Sequence, residues 1–338
     1  MPLTIYDISK KANVSIATVS RVLNGSENVR ESTRKKVLDI IRQNDYIPNA
    51  SARAMSLRSQ KTIGILCADS SDIYLAKAVY YLQRELQLHD YESLLCCTGY
   101  NLDVKKHYVN LILSKKIDAL ILVGSNFIGS TEQENQYIID SSSKVPIMIL
   151  NADFEYPNVY STLCDDRSSM FEATSEMLKS GINDILYIYN SNSYSSMKKL
   201  EGYKSAMKSM GINSFEDMIC HIDEELTSIE DMASFIDEYE SLGHSFHGII
   251  AADDTLAIAA IKYAQRKHRS IPDDLSIIGY NNSILTSCCT PELTSIDNHL
   301  ETLTTQLVKT LIGVLAGEQM PKKSIFEGKL IKRGTTSF

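Results

Sequence analysis

No C-x-x-C pair occurs among the seven cysteines, which stand at 67, 96, 97, 164, 220, 288 and 289. An odd number with two vicinal pairs supports neither a disulfide framework nor a zinc site. Cys67, Cys96 and Cys97 lie in apolar strand-like runs and read as small core hydrophobes, a usage that fits a reducing cytosol. The opening MPLTIYDISKK lacks a basic region followed by an apolar one, so no secretory signal is expected. No apolar run approaches the length that spans a bilayer. The expectation is a soluble, cytoplasmic protein with no membrane partner. No G-x-G-x-x-G, G-x-S-x-G or Walker loop occurs, so nucleotide-dependent and hydrolytic chemistry lack their parts. Neither a strict repeat nor a low-complexity segment is present, and the absence of a heptad tail speaks against a coiled-coil tetramer.

What is present divides unevenly along the chain. The 338 residues suggest two domains or slightly more, and 43% hydrophobic against 22% charged residues allows sizeable cores. Residues 1–60 carry ten Lys and Arg against five Asp and Glu, whereas the remainder carries 24 against 37. A basic head on an acidic body points to a head that meets a polyanion, although a chance surface imbalance gives the same count.

The head reads as three short helices. Thr4 opens a T-x-x-D capping arrangement with Asp7, followed by Ile5, Ile8 and Ala12 at helical spacing. Asn13-Val14 breaks the pattern, and Ser15 can cap a second helix in SIATVSRVLNG, closed by Asn24-Gly25. Val19, Val22 and Leu23 form its apolar stripe, while Ala17, Ser20, Arg21 and Asn24 centre on the opposite side. A third helix spans about 32–44, with Val37, Ile40 and Ile41 inward. Two short helices joined by a tight turn describe a helix-turn-helix, or an ordinary helical hairpin with a solvated face. On the first reading, small residues let the helix sit deep in a major groove. Arg21 can then fork onto guanine O6 and N7, and Ser15, Thr18 and Ser20 can donate to phosphates.

From Lys61 the rhythm changes to strands alternating with helices of ten or more residues. TIGILCA (62–68), YESLLCC (91–97), DALILV (118–123) and PIMIL (146–150) form one set of strands. DILYIY (184–189), GIIA (248–251) and SIIG (276–279) belong to a second; helices over about 74–88 and 102–114 alternate with the first set, and helices over about 166–180, 194–210, 228–242 and 254–267 with the second. Such alternation indicates parallel, doubly wound sheets, and two sets indicate two similar lobes. LTSID, a helix over 300–316 and SIFEGKLI then return to both lobes.

The run TIYDISKKANVSIATVSRVLNG resembles the DNA-binding head of the LacI/GalR (lactose-repressor) family, and YIPNASARAM continues that likeness. IDALILV, the Val-Pro pair at 145–146, EGYKSAM, AADDTLAIAA, IIGYN and PELTSI extend it over essentially the whole chain. The resemblance implies an all-α helix-turn-helix head on an α/β, two-lobed, periplasmic-binding-protein-like body. It implies a homodimeric transcriptional regulator that binds palindromic operator DNA and senses a small molecule, often a sugar, with no cofactor, metal or catalytic activity. Head (1–47), hinge (48–60) and body (61–338) follow. One lobe covers about 61–160 plus 293–320, the other about 161–292 plus 321–338.

In the family, the residues matching Ile16, Ala17 and Arg21 reach base edges. Ile16 and Ala17 offer only apolar contact, so most hydrogen-bonded readout falls on Arg21. NASARAMSL is too short for a stable isolated helix and is expected to order when two copies meet on DNA. The family wedges a leucine into the minor groove where this chain has Met55, which either wedges likewise or packs against its dimer mate. Arg53 reads the backbone or the minor-groove potential. The expected DNA-contacting set is Thr4, Ser15, Ile16, Ala17, Thr18, Ser20, Arg21, Asn24, Asn49, Ala52, Arg53 and Met55.

The effector is expected where strands end in the cleft between lobes, at Asp69, Asp72 and Tyr74, and at Asn151, Asp253 and Asn281, together with Lys199 on a helix. Each could equally be a strand-end cap or a surface residue. Family members often carry arginine at the Lys199 position, asparagine at Asp253 and aspartate at Asn281. Here amides and carboxylates are partly exchanged and the guanidinium fork is reduced to an ammonium, which puts the usual sugar chemistry in question. Lys198-Lys199 could face an anion or be half-solvated. His244-x-x-His247 lies in a loop without a zinc context, and the vicinal acids at 165–166, 224–225 and 273–274 fit caps or turns. A solute-binding protein without DNA readout and a sugar-modifying enzyme are the alternatives. Missing catalytic motifs oppose the second, and a steric roadblock on DNA favours repression over activation.

Overall fold

The computed structural model describes residues 4–23, 26, 28–44, 60–223, 226 and 228–338. Two compact units divide at Thr62 and Ile63.

The first unit is three helices: α1 (Ile5–Ala12), α2 (Ile16–Leu23) and α3 (Glu31–Gln43). The α1 start is set by Asp7, whose carboxylate accepts from the Thr4 backbone N–H at 2.9 Å and the Thr4 hydroxyl at 2.7 Å. These bonds hold the Asp7 carboxyl below its ordinary pKa. Asn13, in the left-handed region at φ 54°, ends α1, and Val14 N–H closes back on the Ser9 carbonyl. Ser15 then starts α2 by accepting from the Thr18 N–H at 3.1 Å. Ile8, Ala12, Val19, Val22 and Val37 are buried together, so all three helices contribute to one core.

The second unit is two lobes, each built on a six-stranded sheet. The strands are β1 (Thr62–Cys67), β2 (Glu92–Cys97), β3 (Ala119–Val123), β4 (Ile147–Leu150), β5 (Val159–Cys164), β6 (Ile185–Tyr189), β7 (Ile219–His221), β8 (Gly248–Ala251), β9 (Ser276–Tyr280), β10 (Thr294–Asp297), β11 (Lys323–Phe326) and β12 (Lys329–Ile331). The first sheet runs β11-β5-β4-β3-β1-β2 and the second β12-β10-β9-β8-β6-β7. The pairings are parallel from β1 to β3, β4, β5 and β11, and from β7 through β6, β8 and β9 to β10; β12 is antiparallel to β10. Central strands such as β3, ALILV, are buried along their whole length, as a sheet with helices on both faces requires.

The expected lobe boundaries need correction at the tail. Thr294–Asp297 pairs with β9 in the second sheet, with Ile296 opposite Tyr280, and so lies outside the first lobe. Lys323–Phe326 pairs with β5 in the first sheet, with Ile325 opposite Leu163, and so lies outside the second. The helix Leu300–Leu315 buries Leu303, Leu307, Val308 and Leu311 in the first lobe's core. The chain therefore crosses between lobes near 164–166, 297–300 and 326–329. These four-residue strands carry no periodicity that could assign them to a sheet; register with a neighbour does.

Among the described residues, no helix is long and apolar enough to cross a membrane. All seven cysteines are free. Cys67, Cys164 and Cys220 are buried, with thiols pushed up by burial to about 11, about 12 and about 12. Cys96 is only half-buried and Cys97 is exposed, which corrects their reading as core residues: β2 is an edge strand.

Candidate functional site

Two surfaces merit a chemical description, one on each unit. On the head, Val19 and Val22 turn inward, which leaves Ser15, Ile16, Ala17 and Arg21 exposed and Thr18 and Ser20 half-buried. Ile16, though apolar, is 38% exposed. The Ser15 and Thr18 hydroxyls lie 2.9 Å apart at the positive end of α2, beside its first amides. The face is low in bulk and carries one guanidinium, so it can approach a duplex closely and read with Arg21. Tyr6, 63% exposed on α1, was not among the expected contacts.

On the body, a cavity of about 420 Å³ opens between the lobes at the carboxyl ends of the strands. Asp72, Tyr74 and Asn151 line it from the first lobe, and Lys199, Asp253 and Asn281 from the second. Six of the seven expected effector residues thus share one cavity wall. Asp69 does not line it. Its carboxylate accepts from the Ser71 N–H at 2.8 Å and the Ser71 hydroxyl at 2.7 Å, which hold its pKa below the usual range.

Backbone geometry explains why these side chains converge. Asp72 and Asp253 each precede a helix and accept its first amides, from Leu75 at 2.7 Å and Leu256 at 2.8 Å. Asn151 and Asn281 follow β4 and β9 in left-handed conformations, at φ 70° and 95°, which asparagine tolerates better than bulkier residues. Lys199, 7% exposed, donates to the Ala252 carbonyl at 2.8 Å and sits 3.8 Å above the Tyr280 ring. Beneath it, buried Asp166 accepts from the Ser195 and Tyr280 hydroxyls, both at 2.5 Å.

Burial pushes the Asp166 and Asp253 carboxyls up, and Lys199 pulls both part of the way back. Asp72, open to water yet enclosed by both lobes, is pushed up first by desolvation and then by repulsion from Asp253. Several polar atoms on the wall have no hydrogen-bond partner among the described residues, among them Asn126 Oδ1 and Nδ2, Asn151 Oδ1 and Ser196 Oγ. Buried orphans of this kind cost free energy unless a polar ligand satisfies them. Among the described residues, no three His, Cys, Asp or Glu side chains cluster as metal ligands. His247 pairs with Asp184 at 2.6 Å, and His244 stacks on Tyr239.

Comparison with known proteins matches both units to described families. Residues 4–49 match the family described as bacterial regulatory proteins, lacI family, and residues 174–336 match a periplasmic binding protein-like domain. An HTH-type transcriptional regulator of Lachnoclostridium phytofermentans is 46% identical over 99% of this chain and 100% of its own length. The chain belongs to the LacI family. Another relative, catabolite control protein A of Priestia megaterium, is 33% identical over 88% of this chain and 87% of its own. A lac repressor dimer, solved bound to operator and the anti-inducer ONPF, shares the fold with a TM-score of 0.86 at 20% identity, over 99% of each chain. As a LacI-family member, the protein is a DNA-binding transcriptional regulator under small-molecule control and not an enzyme.

Of the expected DNA contacts in this LacI-family head, Ser15, Ile16, Ala17, Thr18, Ser20 and Arg21 share α2, and Thr4 stands at the start of α1 with its hydroxyl bonded to Asp7. Asn24, Asn49, Ala52, Arg53 and Met55 lie outside the described residues. The cavity also recruits Ser125 and Asn126 after β3 and Asn190 after β6, which the sequence reading passed over. The strand-end rule that found Asn151 and Asn281 points to these positions as well.

Proposed function

We propose that α2 enters the major groove of a palindromic operator, with Arg21 forking onto a guanine and Ile16 and Ala17 against base methyls. The same proposal assigns the interlobe cavity to a sugar-like effector that sets operator affinity. The observation that carries the DNA assignment is the exposed face of α2, small and singly charged, held over a closed three-helix core. Its polar end is suited to phosphates, and the surplus of lysine and arginine in residues 1–60 favours a polyanion. The cavity assignment is supported by unpartnered amide and hydroxyl groups at the carboxyl ends of two parallel sheets.

The regulator acts as a homodimer, which matches the two-fold symmetry of a palindrome. An apolar surface on the first lobe suits that role. Ile73, Tyr80 and Leu88 are exposed on the helix Ile73–Leu88, and Leu94 and Leu95 are exposed on edge strand β2. An uncovered edge strand with apolar side chains is a ready template for pairing, and a second copy covers it. The same proposal takes the protein to be cytoplasmic and to repress by occluding a promoter. Fluorescence anisotropy with selected operator duplexes tests the reading. Full-length protein must discriminate operator from scrambled duplex, and Arg21→Ala must narrow that discrimination; equal affinity for both duplexes in the unsubstituted protein would overturn it.

A further inference from the structure

The charged groups of the cavity do not balance. Asp72 and Asp253 stand on its wall, Asp166 lies directly behind, and Lys199 is the one cation among the described lining residues. That ammonium is committed. It donates to the Ala252 carbonyl, covers the Tyr280 ring, and serves both Asp166 and Asp253. Buried Lys105 donates to the Asn126 carbonyl at 2.6 Å and is absent from the wall. Asp72 and Asp253 receive helix-start amides, whose partial charges do not neutralise a carboxylate. The two line the same cavity from opposite lobes, where like charges repel. The wall also holds Asn151 Oδ1 and Ser196 Oγ, each in a residue 6% exposed and each without a partner among the described residues.

A phosphorylated or acidic ligand would meet surplus negative charge, and no guanidinium lines the wall among the described residues. A neutral polyol would fill the hydroxyl-binding positions and leave the repulsion between lobes in place. A protonated amine resolves both demands.

We infer that the effector is a cationic amino sugar, its ammonium held between Asp72 and Asp253 and its hydroxyls received by Asn151, Asn126 and Ser196. The inference rests on reading this cavity as the effector site. A cation bridging the two aspartates attracts both lobes, so binding favours the closed arrangement over the open one.

Titration calorimetry of the full-length protein with matched sugars tests this: glucosamine against glucose, galactosamine against galactose, and mannosamine against mannose. At neutral pH, at least one amine is expected to bind tenfold or more tightly than its hydroxyl counterpart. Asp72→Asn and Asp253→Asn keep their helix caps, because asparagine caps as well as aspartate, and each is expected to erase that preference. Thermal melts establish that each variant folds, and either alone suffices. Neutral sugars that bind as tightly as their amines in all three pairs overturn the inference and leave the cavity as the effector site. An amine that binds with the same affinity to both variants and to Lys199→Met overturns the inference and the cavity assignment together. Failure of all three amines to bind overturns the inference.

Discussion

Arg21 carries the only charge among the described residues on the exposed face of α2, so the proposed sequence readout concentrates on a single side chain. A bidentate arginine–guanine pair is worth about 1–3 kcal/mol of discrimination. Arg21→Ala is therefore expected to lose that much at the operator and to relax specificity at one base pair per half-site, measured by competition with single-substituted duplexes. A second residue gives a pH signature. Asp254 is buried, accepts from the Ser283 N–H and the Ser295 hydroxyl, both at 2.6 Å, and is raised by burial from 3.8 to about 6. Its unfolded carboxyl ionises at the lower value and its folded carboxyl at the higher. Stability therefore falls as pH rises through that window and is unaffected by this group below it. The span corresponds to up to about 3 kcal/mol. Asp254→Asn should remove that part of the slope, visible as melting temperatures of the two proteins that converge toward pH 4 and separate by pH 7, with the variant relatively more stable. Parallel curves would assign the slope to other groups.

Helices and strands were legible in the sequence where their burial is uniform or their caps are explicit. The Thr4–Asp7 and Ser15 starts and the fully apolar β3 and β4 needed no tertiary information. Among the elements that were not seen are one longer strand and one longer helix. β5, VYSTLC, buries Ser161 and Thr162 in its centre, with the Ser161 hydroxyl accepting from Phe154 N–H at 3.3 Å, so its composition hides a core strand. The helix Glu132–Ser142 is mostly polar, though its capping box of Thr131 and Glu134 was available as a signal. Strand exchange between lobes was illegible for a different reason, because sheet membership of four-residue strands is decided by their neighbours. At this scale Gly202 is the sharpest test. A Cβ there would stand 2.3 Å from the Arg167 carbonyl oxygen and 2.9 Å from Met170 Cβ, so the helices Asp166–Lys179 and Tyr194–Ser209 approach through that glycine. Gly202→Ala is expected to destabilise the body by about 1–3 kcal/mol in chemical denaturation. Asp166 lies on one helix and Ser195 and Lys199 on the other, so effector affinity should fall with it.

Across the body, three crossings join the lobes, and the cavity draws on both, so a ligand bound to both walls acts on the lobe arrangement itself. Coupling of this kind is typically worth about 1–3 kcal/mol, a change of about 5–150-fold in operator affinity on saturation with effector. By reciprocity, operator duplex must shift effector affinity by the same factor, which paired titrations can check. The central claim is that the amino-terminal unit selects DNA by sequence. Enrichment of bound duplexes from a fully randomised pool by the full-length protein tests it most directly. The account predicts recovery of an inverted repeat with a conserved guanine in each half-site, and loss of the guanine preference alone with Arg21→Ala. Recovery of duplexes with no shared sequence would contradict it.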